Sequence, residues 1–315
     1  MGQILLSAAA LGLIWGIMTL GQYITYRILD IADLTVEGTI TFGAAIAATM
    51  IYNGMSPYLA LVCALLGGMG AGLCTGLLHT RLGIPALLSG ILTMIALWSI
   101  NLRVMGKANV SLLRLPTVFT PIQNLLGVNA TVSIITFGVL LCALVVGVLY
   151  WFFGTELGNA IRATGNNVHM VRAQGINNNN MTILGLMFSN GLVALSGALI
   201  AQQQGFADIQ MGTGSIVIGL ASLIIGEVLF GRGHTRHAFA ERLAGVVLGA
   251  VIYRIIIALV LKMGMNANDL KLFTAITVCV ALMLPRFKVF LNVIIHSAGK
   301  GEKQDALCAE GQKGL

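Results

Sequence analysis

Residues 154–181 read GTELGNAIRATGNNVHMVRAQGINNNNM, a polar run in a chain of 315 residues that is 57% hydrophobic. Apolar segments long enough to span a bilayer flank it on both sides, so the run is a loop between membrane helices. Its local grammar is helix, turn, helix. Nothing in residues 157–164 breaks a helix, Gly165-Asn166 supplies a turn, and Asn166 or Asn167 caps a second helix ending near Gln174. Gly175 stands where a left-handed C′ residue belongs, and Ile176 falls where it meets Val171 in a Schellman ending. A membrane protein that builds two capped helices into one loop either presents them to a partner or uses them as a solvated connector.

The composition sets the class around this loop. Only 9% of residues are charged, against about a quarter in soluble domains, and the mean hydropathy is +0.91. The chain therefore reads as an all-α, polytopic transmembrane bundle. Its 39 glycines fit, because small residues let membrane helices approach closely. The net charge of +7 arises from 18 Lys and Arg scattered over loops and helix ends, with no basic block that would point to nucleic acid. Cys63, Cys74, Cys142, Cys279 and Cys308 form no CxxC, and four of the five lie in apolar runs; they read as packing residues rather than disulfides or zinc ligands. Nothing basic precedes the first apolar run, so it reads as a retained membrane helix and not a signal peptide.

Toward the N-terminus, residues 4–24 form the first span, with Gly12-x-x-x-Gly16 predicting a close helix contact. The acidic segment 30–39 precedes an apolar portion, 40–52, that is too short to span unaided; this helix is broken or re-entrant, or the acidic part enters the membrane. Residues 57–78 span with Gly68, Gly72 and Gly76 four apart, a stripe for helix packing. Spans at 84–102 and 130–153 bracket a loop holding Lys107, Arg114, Pro116 and Pro121. Beyond the polar run come spans at 182–201, 212–230 (carrying Glu227) and 239–261 (carrying Arg254), then a shorter one at 269–284 stopped by Pro285. The count is about nine membrane segments, within a range of roughly eight to ten. Residues 1–285 form the membrane domain and 286–315 a polar tail.

The distribution of Lys and Arg places 154–181 in the cytoplasm, together with Arg27, Arg81, Arg232, Arg236, Arg286 and the tail; Lys107, Arg114, Lys262 and Lys271 fall on the other side. Ionisable groups within the bilayer are functional candidates, since their burial is costly. Asp33 and Glu37, four apart, are predicted to share one helix face continued by Thr41, with Thr35 and Thr39 on the adjacent stripe. The start of that helix offers N–H groups to a substrate carboxylate. Glu227 and Arg254 either pair or reach separate interfaces, the latter being the expectation for Arg254. His234-x-x-His237 has metal-like spacing but no third ligand nearby, so no metal is expected. No HExxH, GxSxG or GxxxxGK[ST] occurs, so neither an intramembrane hydrolase nor a chain with its own Walker phosphate loop is indicated.

Two motifs give the chain a family likeness. Asp33-Leu34-Thr35-Val36-Glu37-Gly38 with the small residues that follow, and Gly158-Asn-Ala-Ile-Arg162-Ala163-Thr-Gly165-Asn166-Asn167 running on to Ala173-Gln174-Gly175-Ile176, resemble the permease subunits of bacterial ABC importers of the branched-chain amino acid and ribose type. Glu227 departs from the family's Gly-rich turn, where a second Gly is common. The resemblance implies that Gly158, Arg162, Ala163, Gly165, Asn166, Asn167 and Gly175 belong to a coupling segment docking on a separate cytoplasmic ATPase. From the residues themselves, Asp33, Thr35, Glu37, Gly38, Thr39 and Thr41 are the candidates to line a substrate path; the alternative is that Asp33 only caps the helix and Glu37 lies at the interface. ATP and Mg²⁺ would be bound by that ATPase and no cofactor by this chain, which is not itself an enzyme. A second permease copy or paralogue and an extracytoplasmic solute-binding protein complete the implied assembly in the bacterial plasma membrane. The acidic residue before Gly38 resembles amino-acid permeases more than ribose ones, implying a hydrophobic or aromatic amino acid; a sugar or a nucleoside is the alternative. An ion-coupled secondary transporter is the competing class, since it also uses broken helices and intramembrane carboxylates.

Overall fold

The computed structural model describes residues 2–127, 129–230, 238–263, 272–280 and 283. Helix α1 (Gly2–Tyr23) runs into one wide π-helical turn, Ile24–Ile28. After an irregular segment come α2 (Val36–Tyr52), α3 (Pro57–Thr80) and α4 (Ala86–Met105). A strand β1 (Asn109–Ser111), a short α5 (Thr120–Leu126) and the long α6 (Ala130–Phe153) follow. The polar run then forms α7 (Glu156–Asn166) and α8 (Val168–Ala173). The chain continues through α9 (Asn178–Gln204), β2 (Phe206–Asp208), α10 (Ser215–Phe230) and α11 (Ala238–Lys262).

Among the described residues six helices are long and apolar enough to cross a membrane: α1 with its π turn, α3, α4, α6, α9 and α11. Helices α2 and α10 are apolar but shorter, and residues 272–280 are helical. The expected short span at 40–52 is thus a helix starting inside the bundle. The basic loop with His234 and His237, and the tail 286–315, lie outside the described residues.

Element ends follow local chemistry. Ser56 caps α3, its hydroxyl accepting from Leu59 N–H at 3.4 Å, and Pro57 sits where its missing N–H is harmless. Gly205, at φ +78°, closes α9 in the left-handed region. The loops after α4 and α9 meet in an antiparallel ribbon, Asn109 opposite Asp208 and Ser111 opposite Phe206. This ribbon is an element that the sequence pattern did not predict: strands of three residues leave no readable alternation. It marks one end of the bundle; the α7–α8 hairpin marks the other.

Helix α9 forms the axis. It is buried nearly all round, as a helix surrounded by others must be. Gly68, Gly72 and Gly76 of α3 all face it: a Cβ at these positions would meet Asn190 and Ala194, Leu186 and Met187, and Ile183 respectively. In the same way Gly12 and Gly16 of α1 lie against Val251 and Val247 of α11. Such contact replaces the hydrophobic drive that is lost in lipid by backbone-close packing.

Arg254 and Glu227 do not pair. Glu227 takes Arg27 at 2.7 Å, at the hairpin end. Arg254 stacks its guanidinium on the Trp15 ring at 3.9 Å.

Gly72→Leu is expected to destabilise the fold by about 1–3 kcal/mol, the usual cost of overpacking. Gly70→Leu on the same helix, where a Cβ has nothing within 4 Å, is expected to be neutral. Thermal unfolding of the two purified variants in detergent, followed by circular dichroism, compares them directly.

Candidate functional site

The site is assembled where two helices begin inside the bundle. Helix α2 starts level with the middle of α9, since Thr39 Oγ1 donates to Asn190 Oδ1 at 2.8 Å. Asp33 precedes this helix. Its Oδ1 accepts from Thr35 N–H at 2.9 Å, and its Oδ2 accepts from Asn190 Nδ2 at 2.7 Å. Asn190 Nδ2 also reaches Leu186 O at 3.1 Å, and the Thr35 and Thr75 hydroxyls lie 2.8 Å apart. The whole network is buried, with Asp33 only 8% exposed and Thr35, Thr39 and Asn190 fully enclosed.

Two expectations change here. Asp33 and Glu37 do not share a helix face, because the helix begins only at Val36 and Asp33 stands in irregular chain before it. The Thr35 N–H is not free for a substrate carboxylate, because Asp33 already occupies it. An N–H left bare at this depth would have no water to bond, so the chain supplies its own acceptor.

Glu37 does the equivalent for the second short helix. After β2 the chain descends through residues 209–214 to the level of Glu37, whose Oε1 accepts from Gly214 N–H at 2.9 Å. Gly214 adopts φ +82° to turn into α10. Gly212 presses so closely on Glu37 O and Thr41 Oγ1 that no side chain fits there. Beside this junction opens a cavity of about 330 Å³ walled by Glu37, Gly38 and Thr41 of α2, by Met94, Trp98 and Asn101 of α4, and by Thr213. Of the residues expected to line a path, Glu37, Gly38 and Thr41 stand in this wall. Asp33, Thr35 and Thr39 hold the buried network behind it.

At the hairpin end every terminus is closed. Thr155 Oγ1 accepts from Gly158 N–H at 3.3 Å to open α7. Asn167 Oδ1 accepts from His169 and Met170 N–H, both at 3.1 Å, to open α8. Gly175, at φ +79°, ends α8 with Ile176 N–H on Val171 O at 3.2 Å and its own N–H on Arg172 O at 3.0 Å, the two bonds of a Schellman motif.

The turn lies one step later than the sequence predicts. Gly165 and Asn166 remain in α7, and Asn167, at φ −154° and ψ 96°, breaks the helix. Gly165 is small for another reason: its face lies on the π turn of α1, where a Cβ would strike Ile28 O. Gly158 packs equally closely on Phe152 and Phe153, at the corner with α6. Arg162 stacks its guanidinium on Phe239 of α11 at 4.5 Å, while Ala163 is half-buried and Asn166 exposed.

The asparagine run divides its labour. Asn177 caps α9 through Asn179 and Asn180 N–H, Asn178 holds Val168 O at 3.0 Å, and Asn179 reaches Thr80 O at the end of α3. Sequence reasoning missed the roles of Asn101 and Asn190. Their signal was present, since an amide inside an apolar span is costly unless it has work to do. Among the described residues no group of three or more His, Cys, Asp or Glu could hold a metal ion.

A helical bundle with six helices able to cross a membrane among the described residues, two shorter helices that begin inside it beside a cavity, and a capped hairpin at one end is the architecture of a multi-pass membrane protein. The model of the family described as branched-chain amino acid transport system / permease component matches residues 4–283, and the chain belongs to that family. The chain is 41% identical over 288 residues to a tyrosine transport system permease protein of Clostridioides difficile, covering 91% of this chain and 93% of the relative. It is 33% identical over 280 residues to an uncharacterised protein of Rickettsia prowazekii, covering 89% and 97%. An autoinducer 2 import system permease protein, LsrC, of Yersinia enterocolitica is 31% identical over 54% of this chain and 46% of its own length. No solved structure matches. The chain is an ABC permease and a multi-pass protein of the bacterial inner membrane.

Asn190→Leu leaves Asp33 Oδ2 and Thr39 Oγ1 without the amide they share. The variant is expected to lose about 2–3 kcal/mol, in the range of a hydrogen bond to a charged group, whereas Thr75→Val should lose about 1 kcal/mol. Calorimetry or thermal denaturation of the solubilised protein measures both.

Proposed function

We propose that this chain is the permease subunit of an ATP-driven importer of an amino acid with a hydrophobic or aromatic side chain. The observation that carries the reading is 41% identity, across 93% of its length, to a protein named for tyrosine transport. The cavity beside Glu37 supports it, since its wall combines a carboxylate with the Trp98 ring and the Met94 side chain. In this reading Glu37, Gly38 and Thr41 line the path, and the buried set Asp33, Thr35, Thr39 and Asn190 keeps α2 in register behind it.

The α7–α8 hairpin would dock in a groove of a cytoplasmic ATPase subunit, which binds ATP and Mg²⁺ in place of the phosphate loop this sequence lacks. A capped helix pair suits that task, because a loose loop would absorb displacement without transmitting it. Gly165 against α1, Gly158 against α6 and Arg162 against α11 would carry movement of the hairpin into three membrane helices. A second permease and an extracytoplasmic binding protein complete the proposed assembly. A solute other than an amino acid, such as a sugar or a nucleoside, is the second reading: LsrC, matched over 54% of the chain, is named for autoinducer 2 import, and the inner membrane ABC transporter permease protein YjfF of Escherichia coli, matched over 61%, is named for no solute.

Uptake of labelled tyrosine, leucine and ribose into proteoliposomes holding the assembled transporter and its binding protein tests the substrate. Tyrosine or leucine is expected to accumulate with ATP; accumulation of ribose alone overturns the amino-acid reading. Gly165→Val is expected to lower ATP-driven uptake at least about tenfold by lifting α7 off the π turn. Wild-type uptake and ATPase association in that variant would refute the coupling role.

A further inference from the structure

The wall of the cavity beside Glu37 includes a second residue with an acceptor that the path-lining role leaves unused. Asn101 stands in its wall, only 1% exposed, and its amide Nδ2 donates to Gly38 O at 3.3 Å. That bond determines which way the amide points, because the reversed amide would set oxygen against the carbonyl oxygen. Asn101 Oδ1 is therefore a buried acceptor, and it has no hydrogen-bond partner among the described residues. A buried polar atom without a partner is uncommon and calls for a ligand or a water.

Ser99 and Thr213 add hydroxyls that can donate or accept, and two further groups of the wall present acceptors. Glu37 gives one carboxylate oxygen to Gly214 N–H, which leaves Oε2 unengaged by that bond. Thr41 Oγ1 spends its proton on Glu37 O at 3.2 Å and presents lone pairs. Trp98, 44% exposed, adds the negative face of an indole. No Lys or Arg lines the cavity among the described residues. Acceptors, one negative charge and an aromatic face select a cationic donor and disfavour a carboxylate.

We propose that this cavity binds the protonated amino group of the transported solute. Its ammonium sits between Glu37 Oε2 and Asn101 Oδ1, and its apolar side chain lies along Trp98 and Met94. The inference rests on the amino-acid reading above and adds to it which end of the substrate is held, and by which atoms. It differs from the expectation that helix N–H groups hold a substrate carboxylate here; of those groups, the N–H groups of Thr35 and Gly214 are bonded to Asp33 and Glu37.

The test uses the complete transporter in proteoliposomes with its binding protein, and labelled L-tyrosine as the probe. Glu37→Gln keeps an oxygen for Gly214 N–H but removes the charge, and is expected to lower tyrosine uptake at least about tenfold, as for loss of a charge-assisted bond. In the wild type, excess tyramine in the vesicle lumen is expected to slow tyrosine uptake by occupying the cavity from within. The same excess of 3-(4-hydroxyphenyl)propionate, which lacks the amine, should not. In Glu37→Gln the slowing of uptake by lumenal tyramine is expected to weaken at least about tenfold, a change that a packing or capping defect would not produce.

Wild-type uptake by Glu37→Gln, or slowing by tyramine as strong in Glu37→Gln as in the wild type, overturns the ammonium site while tyrosine transport by the parent leaves the amino-acid reading standing. Ribose uptake without tyrosine uptake by the parent overturns that reading, and the ammonium site with it.

Discussion

Backbone N–H groups at the start of a helix have nowhere to bond inside hydrocarbon, and the organisation of this protein follows from how two such helix starts are satisfied. Helices α2 and α10 both begin at mid-depth. At that level each unbonded amide would cost several kcal/mol, so each needs an acceptor built into the chain. Asp33 serves Thr35 and Glu37 serves Gly214. The first carboxylate then needs its own partner, which is Asn190 on the central helix. The second is left half-exposed beside a cavity. One requirement thus yields both a sealed polar network around Asp33 and a carboxylate in the cavity wall at Glu37.

Close packing transmits the position of one element to the next. Gly68, Gly72 and Gly76 bring α3 onto the backbone of α9, and Gly12 and Gly16 bring α1 onto α11. The hairpin joins this framework through Gly165 on the π turn of α1, Gly158 at the corner with α6, and Arg162 on the Phe239 ring. Under the proposed importer mechanism this is the mechanical route. A helix pair with capped ends, held by contacts without slack, moves as a body and takes α1, α6 and α11 with it. The Arg27–Glu227 ion pair closes the same end of the bundle, where partial exposure makes it a modest contributor.

Much of this was legible from residue order. The helix caps of the polar run could be read because capping is local: the cap bonds of Asn167, Gly175 and Ile176 reach no further than five residues along the chain (176 − 171). The glycine stripes could be read because a period of four marks one helix face. The roles of Gly165, Asp33 and Arg254 could not. Gly165 looks like a turn residue until Ile28 is seen beneath it; Asp33 looks like the partner of Glu37 until the helix is seen to begin after it; Arg254 finds its aromatic partner 239 residues earlier in the chain, as the numbers of Trp15 and Arg254 give by subtraction.

The polar run that divides the apolar spans was decided by sequence alone in everything that depends on neighbours in the chain: two short helices, their caps, their Schellman ending, and a family motif. Composition and segment length likewise determined an all-α membrane bundle. Tertiary structure alone decided which face of that hairpin is buried, which carboxylate is sealed and which is open, and that Asn101, a residue of the cavity wall, has an amide oxygen without a partner among the described residues. The physical reason is range. Capping and helical periodicity act over a turn or two of chain, whereas the partners of Asp33, Glu37 and Gly165 lie 157, 177 and 137 residues away (190 − 33, 214 − 37 and 165 − 28) and become neighbours only when the helices pack.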